Sequence, residues 1–226
     1  MSTVREHKAG LIGKKLGMTQ VFTEEGKAVP VSVIQTGPNF VVQVKTEATD
    51  GYNAVQLGFE PKKQQRVTKP LAGHFAKAKA GSFYHLREIR CNAEELGWNE
   101  VGKEIGAGDV FEKGQFLDVL GVSKGKGFQG VVRKYGVRGQ PATRGTHEMR
   151  RHIGSIGCRK FPGRVWKNQK MPGQMGSENV SVANLKVVDV LPEKNVVLVK
   201  GAIPGPINGV VVVRKSQKKG DKTAVI

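Results

Sequence analysis

Between Ser123 and Met175 the chain holds a single acidic residue, Glu148. Paired carboxylates, or an Asp behind a Ser–His pair, cannot be assembled there. No enzyme is expected, no catalytic residue is assigned, and no small-molecule substrate or cofactor is implied. Long apolar runs are also missing. The longest is the short Val210–Val213 with its neighbours, far below the ~18 residues a membrane span needs. The opening "MSTVREHKAGLIGKKLG" has no apolar core of signal-peptide length. The expectation is a soluble, cytoplasmic protein with no membrane partner. Cysteine is scarce: Cys91 and Cys158 stand far apart, which suits a reducing compartment and argues against a structural disulfide. His147, His152 and Cys158 supply only three local ligands at a spacing unlike common zinc sites, so no metal is expected.

Positive charge is abundant. Lys and Arg number 37 against 19 acids in 226 residues, a net charge of +18 and a pI near 10.1. Such a surplus repels itself unless a polyanion neutralises it, and nucleic acid is the first candidate. The charge is uneven. Lys124, Lys126, Arg133, Lys134, Arg138, Arg144, Arg150, Arg151, Arg159, Lys160, Arg164, Lys167 and Lys170 give 123–175 a net +12, leaving +6 for everything else. That stretch is rich in glycine and shows neither a 3.6 nor a 2.0 apolar period. It cannot bury a core of its own, and a long irregular segment of this kind is expected to be ordered by an external partner.

The flanks read as short β-branched strands broken by Gly, Pro, Asn and Asp: "GLIGKKLGMTQVF", "AVPVSVIQTG", "NFVVQVKT", "YNAVQLGFE", "SFYHLREIR", "DVFEKGQFLDVLGVS", then "NVSVANLKVVDVLPEKNVVLVKGAIPG" and "NGVVVVRKS". The "PEKN" turn marks a hairpin. Strands at roughly ten-residue spacing point to a mainly β protein built on an antiparallel barrel. Helical signals are few: "KPLAGHFAKAKA", "NAEELGW" and "GFQGVVRKYG". The expected organisation is a barrel domain over 1–122 and 177–226, with a small insertion at about 61–108, and an extended arm over 123–176.

Gly125, Gly127 and Gly130 spell GxGxxG, and Val132 extends the pattern to GxGxxGxV. The context fails for both nucleotide readings. A dinucleotide fold needs a helix and a second strand after the glycines, whereas Gly136 and Gly139 interrupt, and no apolar strand appears for about forty residues. Protein kinases need H-R-D and D-F-G motifs, which are absent. The glycines instead suit a chain bending through narrow gaps. Phe128, His147, His152, Phe161 and Trp166 are interspersed with the cations and could stack on splayed bases. The alternative for each is packing against the barrel or a neighbouring protein, and it is favoured for Phe128, which sits beside the last strand before the arm.

"GLIGKKLGMTQVF" (Gly10 to Phe22), "DVLGVSKGKGFQGVVRK" (Asp118 to Lys134), "MPGQMG" (Met171 to Gly176) and "VLVKGAIPG" (Val197 to Gly205) fall in order along the chain. They resemble the universal large-subunit ribosomal protein L3 family in its bacterial or organellar form. The resemblance implies a six-stranded antiparallel barrel of the translation-protein type with a few short helices and a long, basic, mostly irregular extension. It implies binding to large-subunit rRNA, a part in early subunit assembly, contact with neighbouring large-subunit ribosomal proteins, and an arm directed toward the peptidyl transferase centre with its tip near Arg150–Gly163. The candidate rRNA-binding residues are the thirteen arm cations with His152, Trp166 and Gln174, and Lys14 and Lys15 on the barrel. The patch "PKKQQRVTKP" is a further candidate. In some bacterial members a methylated glutamine comes directly after "GSIG"; Cys158 stands there in this chain, so that modification is not carried over. The competing readings are a free RNA-binding assembly factor with the same barrel, and a nucleotide-dependent enzyme resting on GxGxxG alone.

Overall fold

The computed structural model describes residues 8–91 and 97–219. Its strands in chain order are β1 (Gly10–Phe22), β2 (Ala28–Gln35), β3 (Asn39–Lys45), β4 (Ala54–Pro61), β5 (Phe83–Ile89), β6 (Glu104–Ile105), β7 (Phe116–Val122), β8 (Phe128–Gln129), β9 (Gly173–Gln174), β10 (Asn179–Leu191), β11 (Val196–Lys200) and β12 (Val210–Lys215). The helices are α1 (Glu47–Asp50), α2 (Lys69–Ala78) and α3 (Val131–Tyr135). The expected helix at "NAEELGW" falls largely on 92–96, outside the described residues. No helix among the described residues is long and apolar enough to cross a membrane.

Six strands close an antiparallel barrel in the order β1-β12-β7-β10-β11-β2. Alternation explains it. In β12, Val211 and Val213 are buried while Val210 and Val212 are only half-buried, as a period of two requires for a one-sided core. Leu11, Ile34, Leu117, Val119, Val187, Val197 and Val199 fill the interior with them. The "PEKN" turn is a single 3-10 turn, Pro192–Lys194, completed by Asn195 at φ 51°. Asn suits that left-handed position, and the turn pairs β10 with β11 as a hairpin. Asn39 ties the start of β3 to β1: its Oδ1 accepts from Ile12 N at 3.2 Å and its Nδ2 donates to Ile12 O at 3.0 Å.

A second sheet, in the order β5-β4-β3-β6, is separate from the barrel. It begins at Asn39, earlier than the position near 61 where the sequence pattern set the start of an insertion. α2 lies on this sheet, burying Phe75 and Ala78 with Val42 and Phe83. Phe83 stacks on Phe40 at 5.2 Å and meets Phe75 edge-on at 5.9 Å, geometries that aromatic quadrupoles favour. A side chain at position 58 would collide with the Phe83 ring, so Gly58 makes room for it.

Two compact units result: 1–122 with 179–226, and Ser123–Glu178.

Candidate nucleic-acid interface

Within the second unit, the two limbs of the chain are zipped at their base. Ser123 N donates to Glu178 O at 2.9 Å, Lys126 N to Met175 O at 2.9 Å, and Met175 N to Gly127 O at 3.0 Å. β8 and β9 then pair, Phe128 against Gln174 and Gln129 against Gly173. The close approach demands glycine. A Cβ on Gly176, whose φ is +72°, would strike the Lys124 carbonyl oxygen. Of the GxGxxG glycines only Gly127 has a positive φ, 67°. The chain runs on from it into the two-residue β8 and the five-residue α3, and α3 ends at Gly136 in the left-handed conformation. All ladders among the described residues are antiparallel, so the parallel βαβ unit of a dinucleotide site is not formed there. Farther out, Gln140 N donates to Arg150 O at 3.0 Å, and His147–Arg151 forms a short 3-10 segment.

The arm has almost no interior. Val131 is the only buried residue between Ser123 and Glu178. Twelve of the thirteen cations are exposed and Lys134 is half-buried. None of them forms an ion pair among the described residues, where the pairs found are Lys14–Glu60, Lys27–Glu25, Lys45–Glu88 and His85–Glu60. His152, Trp166 and Gln174 are exposed as well. The Arg164 guanidinium lies 5.4 Å from the Trp166 ring and the Lys134 ammonium 5.2 Å from the Tyr135 ring. Phe161 is 81% exposed and Phe128 75%. Phe128 is therefore not packed within this chain. Its ring stands out beside β9, where a base could stack on it. His147, His152 and Cys158 form no metal-holding group among the described residues.

The two barrel lysines separate. Lys14 faces outward and pairs with Glu60 at 3.1 Å. Lys15 is only 8% exposed, and its Nζ donates to the carbonyl oxygens of Ile203 at 3.0 Å and Gly205 at 3.2 Å. Successive residues of a strand point to opposite faces, so the two neighbouring lysines of β1 take different surroundings. Lys15 is thus a clamp inside the barrel unit and is withdrawn from the candidate contacts.

The fold also gathers a basic surface that the sequence pattern revealed only in part. From Lys62 to Arg90 there are eight cations (Lys62, Lys63, Arg66, Lys69, Lys77, Lys79, Arg87, Arg90) against Glu88 alone. They sit on and around α2 and β5, the edge strand of the second sheet. Tyr84 stands exposed among them, with Lys62 Nζ 5.2 Å from its ring and Arg66 Nη1 donating to its hydroxyl at 3.4 Å. Nothing in the local sequence sets Tyr84 apart from the core aromatics Phe83 and Phe75. Only its outward place on β5 does so.

Comparison with known proteins shows the family of this chain. Residues 91–195 match the family model described as Ribosomal protein L3. The chain is 52% identical over 209 residues to the large ribosomal subunit protein uL3 of Syntrophotalea carbinolica, covering 92% of this chain and 98% of that protein. It is 50% identical to uL3 of Geobacter sulfurreducens, covering 93% and 99%, and 47% identical to uL3 of Herpetosiphon aurantiacus, covering 94% and 99%.

Proposed function

From the premise that this chain belongs to the ribosomal protein L3 (uL3) family, in its bacterial form, we propose that it is a structural constituent of the large ribosomal subunit. It binds large-subunit rRNA, supports early subunit assembly and works in the cytoplasm. The observation that carries this reading is the arm, in which thirteen Lys and Arg and one acid surround a single buried side chain.

Physical chemistry gives the arm its role. A segment with one buried residue gains little from burial and is held by what it touches. Each Lys or Arg that reaches a phosphate releases condensed counterions. The arginines add a planar fork for phosphate and a face for stacking on unpaired bases. Phe128, Phe161 and Trp166, exposed among these cations, offer platforms for unstacked bases. The antiparallel zipper at Ser123–Phe128 and Gly173–Glu178 keeps the root of the arm narrow, so that the tip near Arg150–Gly163 threads between RNA helices toward the peptidyl transferase centre. The Lys62–Arg90 surface provides a second rRNA contact on a folded sheet, and the barrel serves as its mount rather than as a catalyst.

The test is co-sedimentation of tagged protein through a gradient at about 0.5 M salt, where the Debye length falls to roughly 4 Å and loosely held surface cations lose most of their grip. Stoichiometric retention on the large subunit is expected. Release to the top, or retention on precursor particles alone, would favour a free assembly factor.

A further inference from the structure

The barrel leaves one piece of its sheet without neighbours. β1 pairs with β12 from Gly10 to Lys14, and Lys15 then exchanges bonds with Gly209 O at 2.9 Å and Asn208 N at 2.7 Å. β2 pairs with β11 from Val31 to Gln35, and the contact ends where Gly201 N donates to Pro30 O at 2.9 Å. Beyond those points β1 and β2 continue with each other alone, out to Phe22 opposite Ala28. Among the described residues nothing pairs with either outer edge of this ribbon. The four steps from Met18 to Phe22 carry it roughly 13 Å outward. A two-stranded ribbon is marginally stable by itself in water, and open edges of this kind are surfaces that proteins cover.

One face of the ribbon is mostly apolar, with Gln20 between Met18 and Phe22. Met18 and Phe22 are 52% and 65% exposed, and Pro30 and Ala28 on the facing strand are exposed beside them. Its charge runs against the rest of the molecule. In a chain of net charge +18, the tip carries Glu24 and Glu25, and the only cation from Leu16 to Val33 is Lys27, already 2.7 Å from Glu25. Phosphate finds no free cation there. A basic protein finds a net negative tip, in which Glu24 has no ion pair among the described residues and Glu25 shares its charge with Lys27, next to an apolar patch.

We infer that the β1–β2 ribbon docks a neighbouring protein of the large subunit, one that places an apolar side chain on Met18 and Phe22 and a Lys or Arg against Glu24 and Glu25. The inference rests on the large-subunit reading above and adds the partner to it.

A benzophenone side chain placed at Gln20, on the same face between Met18 and Phe22, tests it. Large subunits containing this chain are purified from bacterial cells and irradiated, and the products are identified by mass spectrometry. The expected product is a cross-link to one identified subunit protein of net positive charge. Its yield falls about tenfold when Glu24→Lys and Glu25→Lys are added, while the chain itself stays on the subunit. Phe22→Ser, at an exposed position, gives the same comparison should the charge-reversed chain not fold. A cross-link to rRNA, to a second copy of this chain, or to nothing in subunits that contain the chain overturns the docking and leaves the large-subunit reading intact. A chain that never sediments with subunits, observed before irradiation, refutes that reading and the docking with it.

Discussion

Lys15 Nζ donates to the carbonyl oxygen of Ile203 at 3.0 Å, tying the first barrel strand to the loop that precedes β12. Lys15→Met leaves that carbonyl and Gly205 without this donor and is expected to cost about 1–3 kcal/mol of stability. Lys14→Met removes one partly exposed pair with Glu60 and is expected to cost under about 1 kcal/mol. Thermal unfolding of the two variants side by side checks this, and equal melting temperatures would contradict the clamp.

Lys45, Tyr52 and Glu88 form a second polar junction, on the sheet of β3, β4 and β5. Lys45 Nζ is 2.8 Å from Glu88 Oε1, and the Tyr52 hydroxyl donates to Glu88 Oε2 at 2.8 Å. The Lys45 hydrogen bond, together with a smaller effect of the one from Tyr52, holds the Glu88 carboxyl below its usual range. A depressed carboxylate stabilises the fold above its unfolded pKa of ~4.3, and the contribution is lost as pH falls through the lower folded value. Hydrogen bonding to Glu88 and then Tyr52 raises the Lys45 ammonium, so its contribution is present below ~10.4 and is lost as pH rises past the folded value. Urea midpoints measured from pH 3 to 6 should decline toward acid, and Glu88→Gln should flatten that decline. An unchanged slope in Glu88→Gln would remove the junction from the account.

Deleting Ser123 to Met175 should leave a folded barrel, because the arm contributes one buried residue, Val131, and the barrel core is drawn from outside it. Circular dichroism should keep its β signal. The dependence of log K on log salt for an rRNA fragment should become shallower by several units, since each lost phosphate contact removes about 0.7–0.9. Global unfolding of the deletion would sink the two-part architecture.

The two thiols should behave differently. Cys158 is exposed and Cys91 is buried, and burial pushes the Cys91 thiol up to about 11 from 9.0. A thiol reagent at pH 8 should titrate one cysteine in the native protein and both in denaturant. The raised value also means that the fold loses stability as pH rises from 9 toward 11, where the unfolded thiol ionises and the buried one does not. Two equally fast thiols in the native state would contradict the burial of Cys91.

The barrel was legible in the sequence because alternation at Val210–Val213 and the "PEKN" turn are local signals. The assignment of strands to sheets was not. Asn39–Lys45 and Ala54–Pro61 alternate as barrel strands do, and the choice of partner lies in pairings such as Phe40 with Gly58 that periodicity does not encode. The arm was legible through charge, since its scarcity of acids needs no geometry to be seen. Lys15 was not, because alternation along β1 puts Lys14 and Lys15 on opposite faces, and the carbonyls of Ile203 and Gly205 that receive its ammonium lie far away in the sequence. Phe128 misled for a related reason: closeness in sequence to a core strand says nothing about which way a two-residue strand turns its side chain.

The order of strands in the barrel also sets a timetable. Among the described residues β12 is the last strand made, and it seals the gap between β1 and β7. During synthesis the cylinder therefore cannot shut until Lys215 has been added, by which time the whole of Ser123–Glu178 has already been translated. At ~5–20 residues per second, the interval between finishing the arm and finishing β12 is about 2–7 s. For that interval the nascent chain carries its polycation complete while the barrel is still an open sheet.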